Sequence, residues 1–188
     1  MRTETVVAIV TLLCFSGIPT RASADVDSKT VAYVLRDNVR HQWCAFQDKD
    51  KWTNAYYETR STVLGYVKDS PEGRVISVRE IGASGDWIRE DAYLIGETGR
   101  VVNLERKRTH FTEKEEIRDI YVRRGNTVVL EKRGLFDLDG HQLPLGRLRE
   151  FAVSRVYQDV REFPFYALLA PVPSERNAQH CVNDADER

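Results

Sequence analysis

The sequence predicts an α+β domain, with one or two N-terminal helices packed on a mainly antiparallel meander sheet of about six strands. A closed or half-open barrel is the rival form of that sheet. Three observations lead there. Apolar residues between Asp25 and Tyr57 recur near a 3.6-residue period. From Ser61 onward, segments rich in β-branched and aromatic residues alternate with Gly-, Asp- and Asn-containing reversals. Those reversals are far shorter than the dozen or more residues that a crossover between parallel strands requires, so neighbours must run in opposite directions.

Asp25 to Phe46 reads as the first helix. Ser28 is placed to cap it, and Val31, Val34, Leu35, Val39, Gln42 and Trp43 share a face, although Trp43 to Phe46 suits an extended chain equally well. Asp48 to Tyr57 reads as a short second helix, capped by Asp48 or Asp50, with Trp52, Ala55 and Tyr56 on one side. Strands follow over Thr62 to Lys68, Arg74 to Ile81, Trp87 to Ile95, Val101 to Phe111, Ile117 to Arg123 and Thr127 to Leu138. The turns between them include Asp69-Ser70-Pro71-Glu72-Gly73, Gly96-Glu97-Thr98-Gly99 and Gly125-Asn126. Leu145 to Val160 fits helix or strand. Phe163-Pro164-Phe165 with Leu168-Leu169 forms an apolar cluster expected to dock on the sheet. Pro171 to Arg188 reads as a polar tail that stays loose unless Cys181 pins it.

Two hairpins share an order of residues. Ile88-Arg89-Glu90-Asp91-Ala92-Tyr93 and Ile117-Arg118-Asp119-Ile120-Tyr121 each precede a Gly turn, then Val, Leu-Glu and two basic residues. A duplicated hairpin explains this; so does the common drift of polar-faced hairpins toward Tyr, Val and Gly.

The first 24 residues have the parts of a cleavable secretion signal: Arg2, an apolar run from Thr5 to Phe15, and small residues at Ala22-Ser23-Ala24. The apolar run is shorter than the roughly 20 residues that cross a bilayer. Leu12 and Leu13 before Cys14 do not suit a lipid-anchoring site, so Cys14 belongs to the signal. Cleavage makes Asp25 the first mature residue and leaves a single domain over 25–170 with the 171–188 tail; no later segment is apolar enough to span a membrane. An exported, periplasmic or secreted location follows as the expectation.

Only Cys44 and Cys181 then remain, an even pair suited to a disulfide in an oxidising compartment. His41 and His180 lie near them, but H-x-x-C with H-C is not a zinc-ligand spacing, and no metal or other cofactor is expected. Removing Arg2, Arg21 and Glu4 from 28 basic and 29 acidic residues leaves 26 and 28, a net charge of −2. Basic runs such as Arg106-Lys107-Arg108 sit among acids, so a nucleic-acid partner is not expected.

Catalytic signatures are missing from the sequence. The His residues are scattered, no Ser lies in a G-x-S-x-G elbow, and there is no G-x-G-x-x-G, P-loop or C-x-x-C. Asp137-Leu138-Asp139-Gly140 matches only a fragment of a calcium loop and reads as a turn. Glu90 and Asp91 are adjacent on a strand and point to opposite faces.

One sheet face draws attention. Trp87, Arg89, Asp91, Tyr93 and Ile95 alternate on one strand, and Val102, Leu104, Arg106, Arg108 and His110 on the next. Such a face is apolar toward the turn and charged toward the other end. Curved inward, it could hold a small ligand with an apolar body and an acidic head, with Trp87 and Tyr93 against the body and Arg106 or Arg108 meeting the charge. Facing water, it would be only a solvated surface with cross-strand ion pairs. The leading functional expectation is thus an exported, non-catalytic binding or interaction protein of the cell envelope or secreted space. Its partner is an unknown protein or a small apolar-acidic ligand. A hydrolase of cell-wall or sugar substrates, which demands converging acids in a deep pocket, and a purely structural envelope component are the alternatives.

Overall fold

A computed structural model describes residues 30–59, 61–147, 155–169 and 180–183. The proposed signal segment and most of the tail lie outside the described residues. Among these, one antiparallel sheet holds ten strands, and a single α-helix accompanies it. In chain order the strands are β1 (Thr30–Asp37), β2 (Gln42–Phe46), β3 (Val63–Ser70), β4 (Gly73–Ile81), β5 (Trp87–Ile95), β6 (Val101–His110), β7 (Glu115–Arg124), β8 (Thr127–Asp137), β9 (Gln142–Leu143) and β10 (His180–Asn183). Helix α1 (Lys49–Thr59) joins β2 to β3. The spatial order is β10-β2-β1-β3-β4-β5-β6-β7-β8-β9, and the two outermost strands do not pair with each other.

This corrects the expected helices on a six-strand sheet. The six predicted strands appear as β3 to β8, in the predicted meander. From Thr30 onward, the segment read as the first helix is instead the β1–β2 hairpin, paired from Tyr33↔Phe46 to Asp37↔Gln42. The physical reason is burial on both sides. Val34 faces one way and Leu35 the other, yet neither has any exposed surface, and Trp43 to Phe46 are all buried. A strand covered on both faces loses its alternating pattern and reads as an apolar run, which a helical period fits by accident. The reversal between the two strands also carries no glycine. Asp37 Oδ1 accepts from Val39 N–H at 2.8 Å and Arg40 N–H at 2.9 Å, and His41 takes a φ of 52°.

The second helix forms as expected. Asp48 Oδ1 accepts from the Asp50 and Lys51 amides and caps α1. Trp52, Ala55 and Tyr56 lie against Leu35, Cys44 and Phe46, and Trp52 Nε1 donates to the Val34 carbonyl at 3.0 Å. So α1 covers one face of β1 and β2. Cys181 on β10 sits opposite Cys44 and is bonded to it, so this part of the tail belongs to the sheet.

The other face holds the main core and is called the inner face here. Phe163, Phe165 and Leu168 cover it, packed with Val34, Trp43, Ile76, Tyr93, Leu104 and Val128. This segment fixes the curvature of the sheet. Gln158 accepts at its side-chain oxygen from Val128 N–H on β8, while Phe165 packs on Trp43 of β2 at 4.9 Å between ring centroids. The residues from Gln158 to Phe165, shortened by a 3₁₀ turn at Val160–Glu162, thus bridge β2 and β8, and one core of side chains drawn from β2 to β8 packs around them. The sheet curls around the segment as an open, half-barrel-like trough.

Candidate functional site

Register lines the inner face up in cross-strand rows. One row runs Val63, Glu80, Arg89, Arg108, Ile117 and Leu135 from β3 to β8. The next runs Gly65, Val78, Asp91, Arg106, Asp119 and Arg133. A third holds Val67, Ile76, Tyr93, Leu104 and Tyr121. The face is thus apolar toward the β5–β6 turn and charged toward its other end. A register shift between Leu94 and Ile95 brings Val101, not Val102, opposite Ile95. Val101 is buried as a result and Val102 is exposed, so the sequence-derived placing of Val102 on this face is corrected.

The charged rows are largely buried. Arg106 is 3% exposed and makes a two-point contact with Asp91, Nε to Oδ1 at 2.7 Å and Nη2 to Oδ2 at 2.8 Å. Its Nη2 also donates to the Arg155 carbonyl at 2.9 Å, which ties the covering segment to the sheet. Burial works against the Arg106 charge, but the hydrogen bonds to Asp91 more than offset this and raise its pKa. Burial, with the Asp91 carboxylate beside it, pushes the Tyr93 phenol far above its ordinary range. The hydroxyl stays protonated and donates to Asp91 Oδ2 at 3.3 Å. Asp119 repeats the arrangement two strands on. It receives Arg133 Nε at 2.6 Å, Arg133 Nη2 at 2.8 Å and the Tyr121 hydroxyl at 3.4 Å. Arg108 Nη2 joins at 2.7 Å. The hydrogen bonds to Asp119 raise the pKa of Arg133. The two hairpins alike in sequence therefore build the same Asp-x-Tyr device, with an arginine supplied by the following strand.

A cavity of about 260 Å³ opens between the inner face of β1–β5 and the covering segment. Its apolar walls come from Trp43, Val63, Val78, Tyr93, Tyr157 and Phe165, and its polar walls from Arg36, Glu80, Arg89 and Asp91. Arg89 Nη2 meets Glu80 Oε2 at 2.6 Å. The Trp43 Nε1 and Arg89 Nε donors are buried without a hydrogen-bond partner among the described residues.

Of the sequence-derived candidates, Tyr93 lines this cavity. Arg106 lies behind it on Asp91. Arg108 sits across the strand from Arg89. Trp87 lies further off, folded over the β4–β5 turn, where a Cβ on Gly82 would fall 2.5 Å from its indole Nε1. Sequence reasoning missed Arg36, Val63, Val78 and Glu80. They come together only through β1 and β3, and β1 had been read as helix.

Two other sequence features resolve simply. Cys44 and Cys181 form a disulfide across 137 residues; no thiolate is left there for a metal. Asp137, Asp139 and His141 place ligand-type atoms within 4.8 Å of one another. Asp137 Oδ1 accepts from the His141 amide at 2.8 Å, however, and its other oxygen meets His141 Nδ1 at 3.0 Å, which is a turn closing on itself. No helix among the described residues is long and apolar enough to cross a membrane.

Comparison with known proteins gives no likeness to lean on. The chain matches no family model, no curated protein and no solved structure.

Proposed function

We propose that this chain is an exported binding protein that holds a small organic acid between the inner sheet face and the 157–165 segment. The cavity carries the reading: aromatic and branched walls on one side, and charged side chains on the other. Arg36 and Arg89 stand at its polar end with Glu80 and Asp91, and Arg106 lies behind Asp91. A ligand with an apolar body and an acidic head suits such a lining. The volume lies just below the range of about 300–1,000 Å³ usual for drug-sized ligands, which favours a short-chain or single-ring acid.

The hydrolase alternative draws little support. It needs two carboxylates placed to flank a scissile bond. Glu80 and Asp91, the carboxylates in the cavity wall, are instead each engaged by a guanidinium, that of Arg89 and that of Arg106.

Export has a direct check. The mature protein should begin at Asp25 when recovered from outside the cytoplasm, and an intact Met1 there would contradict it. Binding is tested by calorimetric titration with 4-phenylbutyrate and with 4-phenylbutanol. The acid should bind the full mature chain more tightly than the alcohol, by about tenfold or more, as expected for one charge-assisted contact. Failure of both to bind would remove the reading.

A further inference from the structure

Four aromatic side chains reach the cavity, two from the sheet and two from the segment that covers it. Trp43 stands on β2 and Tyr93 on β5, while Tyr157 and Phe165 belong to the covering segment. They meet in pairs, each joining one sheet ring to one covering ring. Trp43 lies 4.9 Å from Phe165, and Tyr93 lies 5.8 Å from Tyr157, measured between ring centroids. Both pairs are tilted, at 49° and 46°, so neither closes into a parallel stack. Between β2 and β5 run β1, β3 and β4, and the apolar side chains these strands bring to the cavity are the short Val63 and Val78. Large rings thus flank a floor of small residues.

We infer that the apolar body of the bound acid is a flat aromatic ring, held over Val63 and Val78 between the Trp43–Phe165 and Tyr93–Tyr157 pairs. The inference rests on the proposed organic-acid function and adds the class of the ligand's body. An aromatic ring has a negative face and a positive edge, so ring neighbours set at an angle attract it beyond what burial of its area provides. A saturated ring or an alkyl chain lacks that charge pattern and gains only in proportion to the apolar surface it withdraws from water. The acidic head then points to the end where Arg36 and Arg89 stand.

Titration with 4-phenylbutyrate and with 4-cyclohexylbutyrate separates the two cases. The acids share charge and chain length, and the saturated ring has the larger apolar surface. In the full mature chain the phenyl acid should bind more tightly, by about three- to tenfold. Nuclear Overhauser contacts should run from its ring protons to the Val63 and Val78 methyls and to a ring of each aromatic pair. Phe165→Leu keeps the site apolar but removes one ring, and Tyr157→Leu does the same at a half-buried position. Each should narrow the preference for phenyl over cyclohexyl, a ratio that a partial loss of folded protein leaves unchanged. A cyclohexyl acid that binds as tightly as the phenyl one overturns the ring site while leaving the binding function standing. So does a preference unaltered in both variants, or a bound phenyl ring without those contacts. If neither acid binds the unmodified protein, the function and the ring site fall together.

Discussion

Arg106 meets Asp91 from inside the protein, where both groups are almost wholly shielded from water. Removing one member of such a pair strands the other's charge, at a cost of about 3–5 kcal/mol. Arg106→Met should therefore lower stability by that amount in urea unfolding. Arg108→Gln should cost far less, since Asp119 retains Arg133. Equal losses would mean that the two rows are not organised as described. Gly65 makes a second single-residue case. It lies on the inner face beside Val34 and Val78, and a Cβ there would come within 2.8 Å of the Ser77 carbonyl oxygen and of Val34 Cγ2. Gly65→Ala should destabilise by about 1–3 kcal/mol through overpacking, measured the same way. An unchanged midpoint would show that β1 and β4 can move apart there.

At the level of the element, the covering segment depends on local polar contacts as much as on its aromatic residues. Asp159 caps the 3₁₀ turn at Val160–Glu162 and bonds Arg161, which holds its carboxyl down to about 2 from an ordinary 3.8. A depressed acid stabilises the folded state above its unfolded pKa and stops doing so as pH falls through the folded one. Acidification from about pH 4 to pH 2 should thus loosen this segment, seen as falling near-ultraviolet dichroism from Trp43, Tyr93 and Phe163. Asp159→Asn should flatten that part of the profile; an unaltered profile would assign the change to other carboxylates. The disulfide acts on β10, whose four residues hold one sheet edge. Cys181→Ser should cost about 2–5 kcal/mol, given the long loop it closes. The elements also show why some of the fold was legible and some was not. β3 to β8 announce themselves because Gly73, Gly99 and Gly125 punctuate them with positive φ. β1 and β2 stay hidden because the covering segment and α1 bury both their faces, and because Asp37 turns the chain without a glycine.

Across the whole molecule, ten strands make an open trough rather than a closed barrel, and residues 155–169 supply what closure would otherwise have provided. The cavity is a product of that topology. Tyr93 could be named from the alternation along β5, and Asp91 with Arg106 from the register of one hairpin. Arg36, Val63 and Glu80 could not, since their meeting requires β1 to lie between β2 and β3 and the sheet to curl. The outer face of β4–β7 shows the contrasting chemistry. Arg79 pairs with Glu90 at 3.6 Å at half-exposed positions, a contact that contributes under about 1 kcal/mol, while Lys107 reaches down to the buried Glu116 at 2.9 Å.

The division between a binding inner face and a solvated outer one rests on how the sheet curls. A residue-by-residue map of NMR shift changes on titrating 4-phenylbutyrate into the mature protein tests it most directly. The largest changes should fall on Trp43, Val63, Val78, Tyr93 and Phe165, with the side chain of Arg89 at one end. Changes confined to Arg79, Glu90, Lys107 and Arg118 would put the ligand on the opposite surface and contradict the account.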